Sequence, residues 1–111
     1  MKSMMFAFAL FASLSAHAIS VDCMVTAVLD GAIPLAQGQS VTITDSGAII
    51  GSTIYRNAKI VEHTSGSRSA VRVIDRDTTI EVISDSNTKD GELYVTAGSG
   101  STTKVALLNC R

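Results

Sequence analysis

The sequence predicts an all-β domain, a small antiparallel barrel of about eight short strands with its terminal strands joined by a disulfide. Three observations carry that expectation. Beyond residue 18 the chain is built from short Val/Ile/Thr-rich runs separated by Gly, Ser and Asp clusters, which is strand-and-turn composition. No segment holds a 3.6-residue apolar period, so little helix is expected. Of the two cysteines, Cys23 opens the domain and Cys110 is its penultimate residue. A disulfide needs Cα atoms about 4.4–6.8 Å apart, so the first and last strands should be neighbours. In an antiparallel meander that closes the sheet and removes its edges. A two-sheet β-sandwich with adjacent terminal strands is the alternative.

Residues 1–18 read as a secretory leader. Lys2 is the positive start, Met4–Leu14 the apolar stretch, and Ala16-His17-Ala18 the small-residue cleavage signal. The apolar stretch is far short of the about 20 residues that a bilayer demands. Cleavage after Ala18 leaves a single domain, Ile19–Arg111, with no membrane span. The residues before Cys23 (Ser20-Val21-Asp22) do not match a lipoprotein signal, so Cys23 is read as a half-cystine. Export to the periplasm or the extracellular space allows both thiols to oxidise. In the chain-entropy account, a loop this long is worth about 4–5 kcal/mol.

The strands are expected at 20–29, 40–44, 48–55, 58–63, 69–75, 78–84, 92–97 and 103–109. Between the first two, Asp30–Gln39 contains the only proline, Pro34. It reads as a connector whose apolar residues tuck onto the core, or as an apolar interaction loop presenting Ile33, Pro34 and Leu35. Asp45-Ser46-Gly47 is expected to turn the chain between Ile43 and Ile49.

The 69–84 stretch gives the sharpest local expectation. A turn at Arg76-Asp77 sets Asp75 against Thr78, Val73 against Ile80 and Val71 against Val82. The other face then matches Arg72 with Glu81 and Arg68 with Asp85. One register satisfies both apolar and charge pairing. Ser99-Gly100-Ser101 is expected to close the last hairpin, setting Leu93 opposite Leu107 and Val95 opposite Val105.

Composition narrows function. The formal net charge is −1, and losing Lys2 makes the exported chain more acidic, which disfavours a nucleic-acid partner. All 3 Phe lie in the leader and there is no Trp, so stacking sites for sugars or bases have little to use beyond Tyr55 and Tyr94. His63 is the only histidine after the leader, without the ligand set that zinc requires. Asp75, Asp77, Glu81 and Asp85 look acidic, but Arg68, Arg72 and Arg76 stand ready to pair with them. Gly98-Ser99-Gly100-Ser101 joins strands, with no helix behind it to present amides to phosphate. No cofactor, metal or catalytic residue is expected.

The layout of leader, early cysteine, compact β domain and C-terminal cysteine is similar to that of periplasmic lysozyme inhibitors of the small β-barrel type. At the place of that family's Ser-Gly-x-x-Tyr-like segment stands Ser65-Gly66-Ser67-Arg68-Ser69, without the tyrosine, so no inhibitory residue is carried over. The expected function is an exported, non-enzymatic module that binds a protein partner or belongs to the cell envelope. Inhibition of a secreted hydrolase and carriage of a small ligand are the alternatives. The partner and the oligomeric state stay open.

Overall fold

A computed structural model describes residues 18–111; the leader read over 1–18 lies outside the described residues except for Ala18. Apolar and polar residues alternate along the strands, and the apolar set turns inward. In β1 (Ser20–Val28), Val21, Cys23 and Val25 are buried while Asp22, Met24 and Thr26 are exposed. The same alternation buries Val41 and Ile43 in β2 (Ser40–Thr44) and Ala48 and Ile50 in β3 (Gly47–Ile50). β4 (Thr53–Tyr55) and β5 (Lys59–Ser65) are less covered. β6 (Arg68–Asp75) and β7 (Thr78–Asp85) bury Val71, Val73, Ile80 and Val82. β8 (Asp90–Thr96) and β9 (Thr102–Cys110) complete the sheet.

All nine strands form one sheet in the order β4-β3-β2-β1-β9-β8-β7-β6-β5, and every neighbouring pair is antiparallel. The sheet curls into a half-barrel around a core of Val, Ile and Leu. The first and last strands are adjacent, as expected, with Cys23 directly opposite Cys110 and bonded to it. Both cysteines are buried with the core. The ends of the sheet are β4 and β5, which are not paired with each other.

Direction explains that seam. It alternates along the sheet, so the first strand in the order, β4, and the ninth, β5, point the same way. They are consecutive in the chain, separated only by Arg56-Asn57-Ala58. A parallel pair needs a crossover of a dozen or more residues, which this connector does not provide. β4 and β5 are therefore two segments of one leg, bonded first to β3 and then to β6. Tyr55, Ala58 and Ile60 of that leg pack against the core, so the chain itself spans the seam.

Three local expectations are corrected. The 48–55 run is not one strand. It folds back at Gly51-Ser52, setting Ile50 opposite Thr53. Gly51 has φ +64°, a left-handed conformation that glycine adopts without a Cβ penalty. The preceding turn is Asp45-Ser46, with Gly47 already in the ladder opposite Thr44, and Ile43 faces Ala48, not Ile49. A Cβ on Gly47 would lie 2.5 Å from the Tyr55 carbonyl oxygen, so the glycine serves the approach of β4. In the last hairpin Leu93 faces Ala106 and Val95 faces Thr103, because the register shifts between Leu93 and Tyr94. Val105 is the extra residue, and both Val105 and Ala106 are buried. The β6–β7 register is the expected one at every pair named above.

Candidate functional site

With the core inside, the outer face is what the sheet presents to other molecules, and its two halves differ. Across β6 to β9 it is a charged ladder. Arg72 Nε meets Glu81 Oε2 at 3.2 Å. Glu92 accepts hydrogen bonds from the Tyr94 hydroxyl at 2.8 Å and from Lys104 Nζ at 3.0 Å. Those two donors hold the Glu92 carboxyl below the usual carboxylate range. The same bond to Glu92 raises the Tyr94 hydroxyl. Lys104 Nζ also stands 5.8 Å from the Tyr94 ring centre, within cation–π range.

A groove of about 440 Å³ lies at one end of this ladder, with Arg68, Asp85, Asp90 and Glu92 around Ile83 and Leu107. Two of its anions, Asp85 and Glu92, already serve the fold. Asp85 Oδ1 accepts from the Asn87 and Thr88 amides at 2.8 and 3.2 Å, and Oδ2 from the Ser67 hydroxyl at 3.3 Å. The two amides, more than Ser67 or Arg68, hold the Asp85 carboxyl low. Asp85 is thus a cap for the β7–β8 turn. Among the described residues no group of three or more His, Cys, Asp or Glu is placed to hold a metal ion. His63 is exposed on β5, opposite Ala70.

The other half, over β2 to β4, carries Thr42, Thr44, Ile49 and Ile54 around a shallow cavity of about 320 Å³, with Arg56 at its border. Ile49 and Ile54 face each other across β3 and β4 and are 46% and 54% exposed. Val61, further along the same leg, is also an exposed large apolar side chain. Scattered exposed apolar residues need no explanation. Here, though, two sit side by side on the end strand β4 and its neighbour β3.

The residues singled out from sequence are distributed as follows. Cys23 and Cys110 form the disulfide. Ile33 and Leu35 are half-buried and pack on the core, while Pro34 is exposed. A Cβ on Gly51 would lie 2.9 Å from the Leu35 side chain and 3.0 Å from the Pro34 carbonyl, so the 30–39 loop rests on the β3–β4 turn. Ser65-Gly66-Ser67-Arg68-Ser69 forms the β5–β6 turn, with Ser65 opposite Arg68. Sequence reading did not reach the Ile49–Ile54 pair, because their facing depends on the Gly51-Ser52 turn. A Gly-Ser step inside a β-rich run was the signal for it.

Comparison with protein-family models, curated proteins and solved structures gave no match. The fold and the surface chemistry are what a functional reading has to stand on.

Proposed function

We propose that this is an exported, non-enzymatic β domain that binds a protein partner through the β3–β4–β5 end of its sheet. The observation that carries the reading is the Ile49–Ile54 pair, about half exposed and directly opposed across β3 and the end strand β4. Apolar side chains gathered at a sheet end, next to a cation, suit protein contact. The disulfide is compatible with an oxidising compartment, periplasmic or extracellular. The inward space is filled by large buried side chains, Ile43, Ile50, Ile80 and Leu93 among them. That supports a surface partner over a carried small ligand.

The test is a photo-crosslinking residue placed at Ile54 or, separately, at Glu81, in the exported chain within its producing cells. A discrete adduct from position 54, absent from position 81 and suppressed by Ile49→Asp, supports the reading. No adduct at 54, or equal adducts at both positions, rejects it. A secreted hydrolase in the adduct would select the narrower inhibitor reading.

A further inference from the structure

We propose that hydrolysis of the Ala18–Ile19 bond matures the fold, and that Asp45 captures the α-ammonium this creates at Ile19. The inference stands apart from the partner reading above and rests on the leader read over 1–18. It starts from a hydrogen bond outside the ladder. The first rung between β1 and β2 is Ser20 opposite Thr44. One residue earlier, the Ile19 backbone nitrogen donates to Asp45 Oδ1 at 3.2 Å, across 26 positions of sequence. In the unprocessed chain that donor is a neutral amide. On hydrolysis, water gives its hydroxyl to the Ala18 carbonyl carbon and a hydrogen to the Ile19 nitrogen. The free amine takes up a further proton at neutral pH, since α-amines titrate at about 7.7–8.0. The same contact then joins opposite charges, and charge-assisted hydrogen bonds are roughly twice as strong as neutral ones.

Both partners are held in place by their surroundings. Val21, Cys23 and Val25 are the inward positions of β1. Ile19 continues that set, half-buried against the core, while Ala18 is exposed. The bond to be cut thus has its core anchor on the retained side. Asp45 opens the β2–β3 turn, where Thr44 Oγ1 accepts from the Ser46 amide at 3.3 Å and meets the Ser46 hydroxyl at 3.0 Å. The Asp45 side chain is exposed and belongs to none of the ion pairs among the described residues. Of the charged groups on neighbouring elements, Asp22 and Arg111 pair with each other at 3.3 Å. Arg56 flanks Gly47 across the β3–β4 edge, and Lys89 and Asp90 stand beyond β9. Tyr55, on β4, keeps its proton well past neutral pH because burial raises its hydroxyl. Position selects the cut. An earlier cut leaves Ala18 on the Ile19 nitrogen and moves the charge at least one residue away, about 3.8 Å along the chain. A later cut removes Ile19 and its core contact. Cleavage after Ala18 keeps the anchor and sets the charge at Asp45.

The test uses isotope-labelled, oxidised protein exported by its producing cells. Intact mass should place its first residue at Ile19. Followed by NMR as pH rises, the Ile19 α-amine should titrate above its ordinary value by about 0.2–0.7 on the pH scale, the equivalent of an exposed ion pair. Asp45→Asn keeps an amide oxygen as acceptor but loses the charge, so it should return the titration to the ordinary value. Asp45→Glu should retain part of the displacement. A role for Asp45 in turn geometry alone would leave the titration the same in all three proteins. High salt should shrink the displacement in the unaltered protein, a readout that needs no variant to fold. A first residue other than Ile19, an α-amine at its ordinary value, equal titration in Asp45→Asn, or indifference to salt would each overturn the proposal.

Discussion

Gly91 lies against the disulfide: a Cβ built on it would stand 2.8 Å from Cys110 Sγ. The same atom would press on the Ile83 carbonyl oxygen and on Leu108 Cβ, each at 3.2 Å. Gly91 is paired with Leu108 on one side and Ser84 on the other, so β8 has little room to retreat. Gly91→Ala should therefore cost about 1–3 kcal/mol, the range for overpacking. Gly31→Ala is the control, since nothing lies within 4 Å of its Cβ position. It should leave the urea midpoint nearly unchanged. Equal midpoints for the two variants would refute the close contact.

The bond that Gly91 accommodates joins residues 87 positions apart in sequence. It also ties together the two strands that meet in the middle of the sheet order. Small secreted domains lose about 2–5 kcal/mol with a native bridge. Cys23→Ser and Cys110→Ser should each fall in that range, with the double variant no worse than either single one. Chemical denaturation of the three variants and of the reduced protein decides it. A reduced protein with an unaltered midpoint would show that core packing alone holds β1 against β9.

How much of this was legible depended on whether one register dominated. For β6 and β7 it did: a one-residue slip would have put Val71 and Val82 in water, and any slip would have separated Arg72 from Glu81. For β8 and β9 the local pattern tolerated two registers, because Val105-Ala106-Leu107 is apolar throughout and conceals which residue is extra. The Gly51-Ser52 reversal was hidden by strand formers on both sides. Its geometry is fixed partly by the 30–39 loop resting on it, a contact that local sequence does not encode. The Ile49–Ile54 pair was illegible for the same reason. The adjacency of the terminal strands was legible, since two cysteines leave one intramolecular pairing.

The Arg72–Glu81 pair measures what that legible register is worth on its exposed side. The Arg72 side chain is 59% exposed and that of Glu81 24%, so solvent screens most of the attraction. A double-mutant cycle with Arg72→Ala and Glu81→Ala should give a coupling of about 0.2–1 kcal/mol, smaller at high salt. Coupling above that range, or coupling indifferent to salt, would mean the pair is more enclosed than its exposure indicates.

Glu92 should shape stability at both ends of the pH scale. Its carboxyl is held low by the hydrogen bonds from Tyr94 and Lys104. A carboxylate lowered in the folded state stabilises above its unfolded pKa, and that stability is lost as pH falls through the folded value. Melting temperature should therefore decline as pH drops below about 4. Tyr94 and Lys104 are raised, chiefly by their bonds to Glu92. A raised group stabilises below its unfolded pKa, and that stability is lost as pH climbs through the folded value. A second decline should therefore begin above about pH 10. Glu92→Gln removes the charge that both partners see and should make both limbs shallower. Asp85→Asn removes a carboxylate lowered by the Asn87 and Thr88 amides, and should flatten the acid limb alone. Melting curves of the three proteins across pH provide the check. Tyr55 is also raised, chiefly by burial, so a reduced alkaline limb should remain in Glu92→Gln. A limb undiminished there would show that Tyr94 and Lys104 draw their shifts from elsewhere.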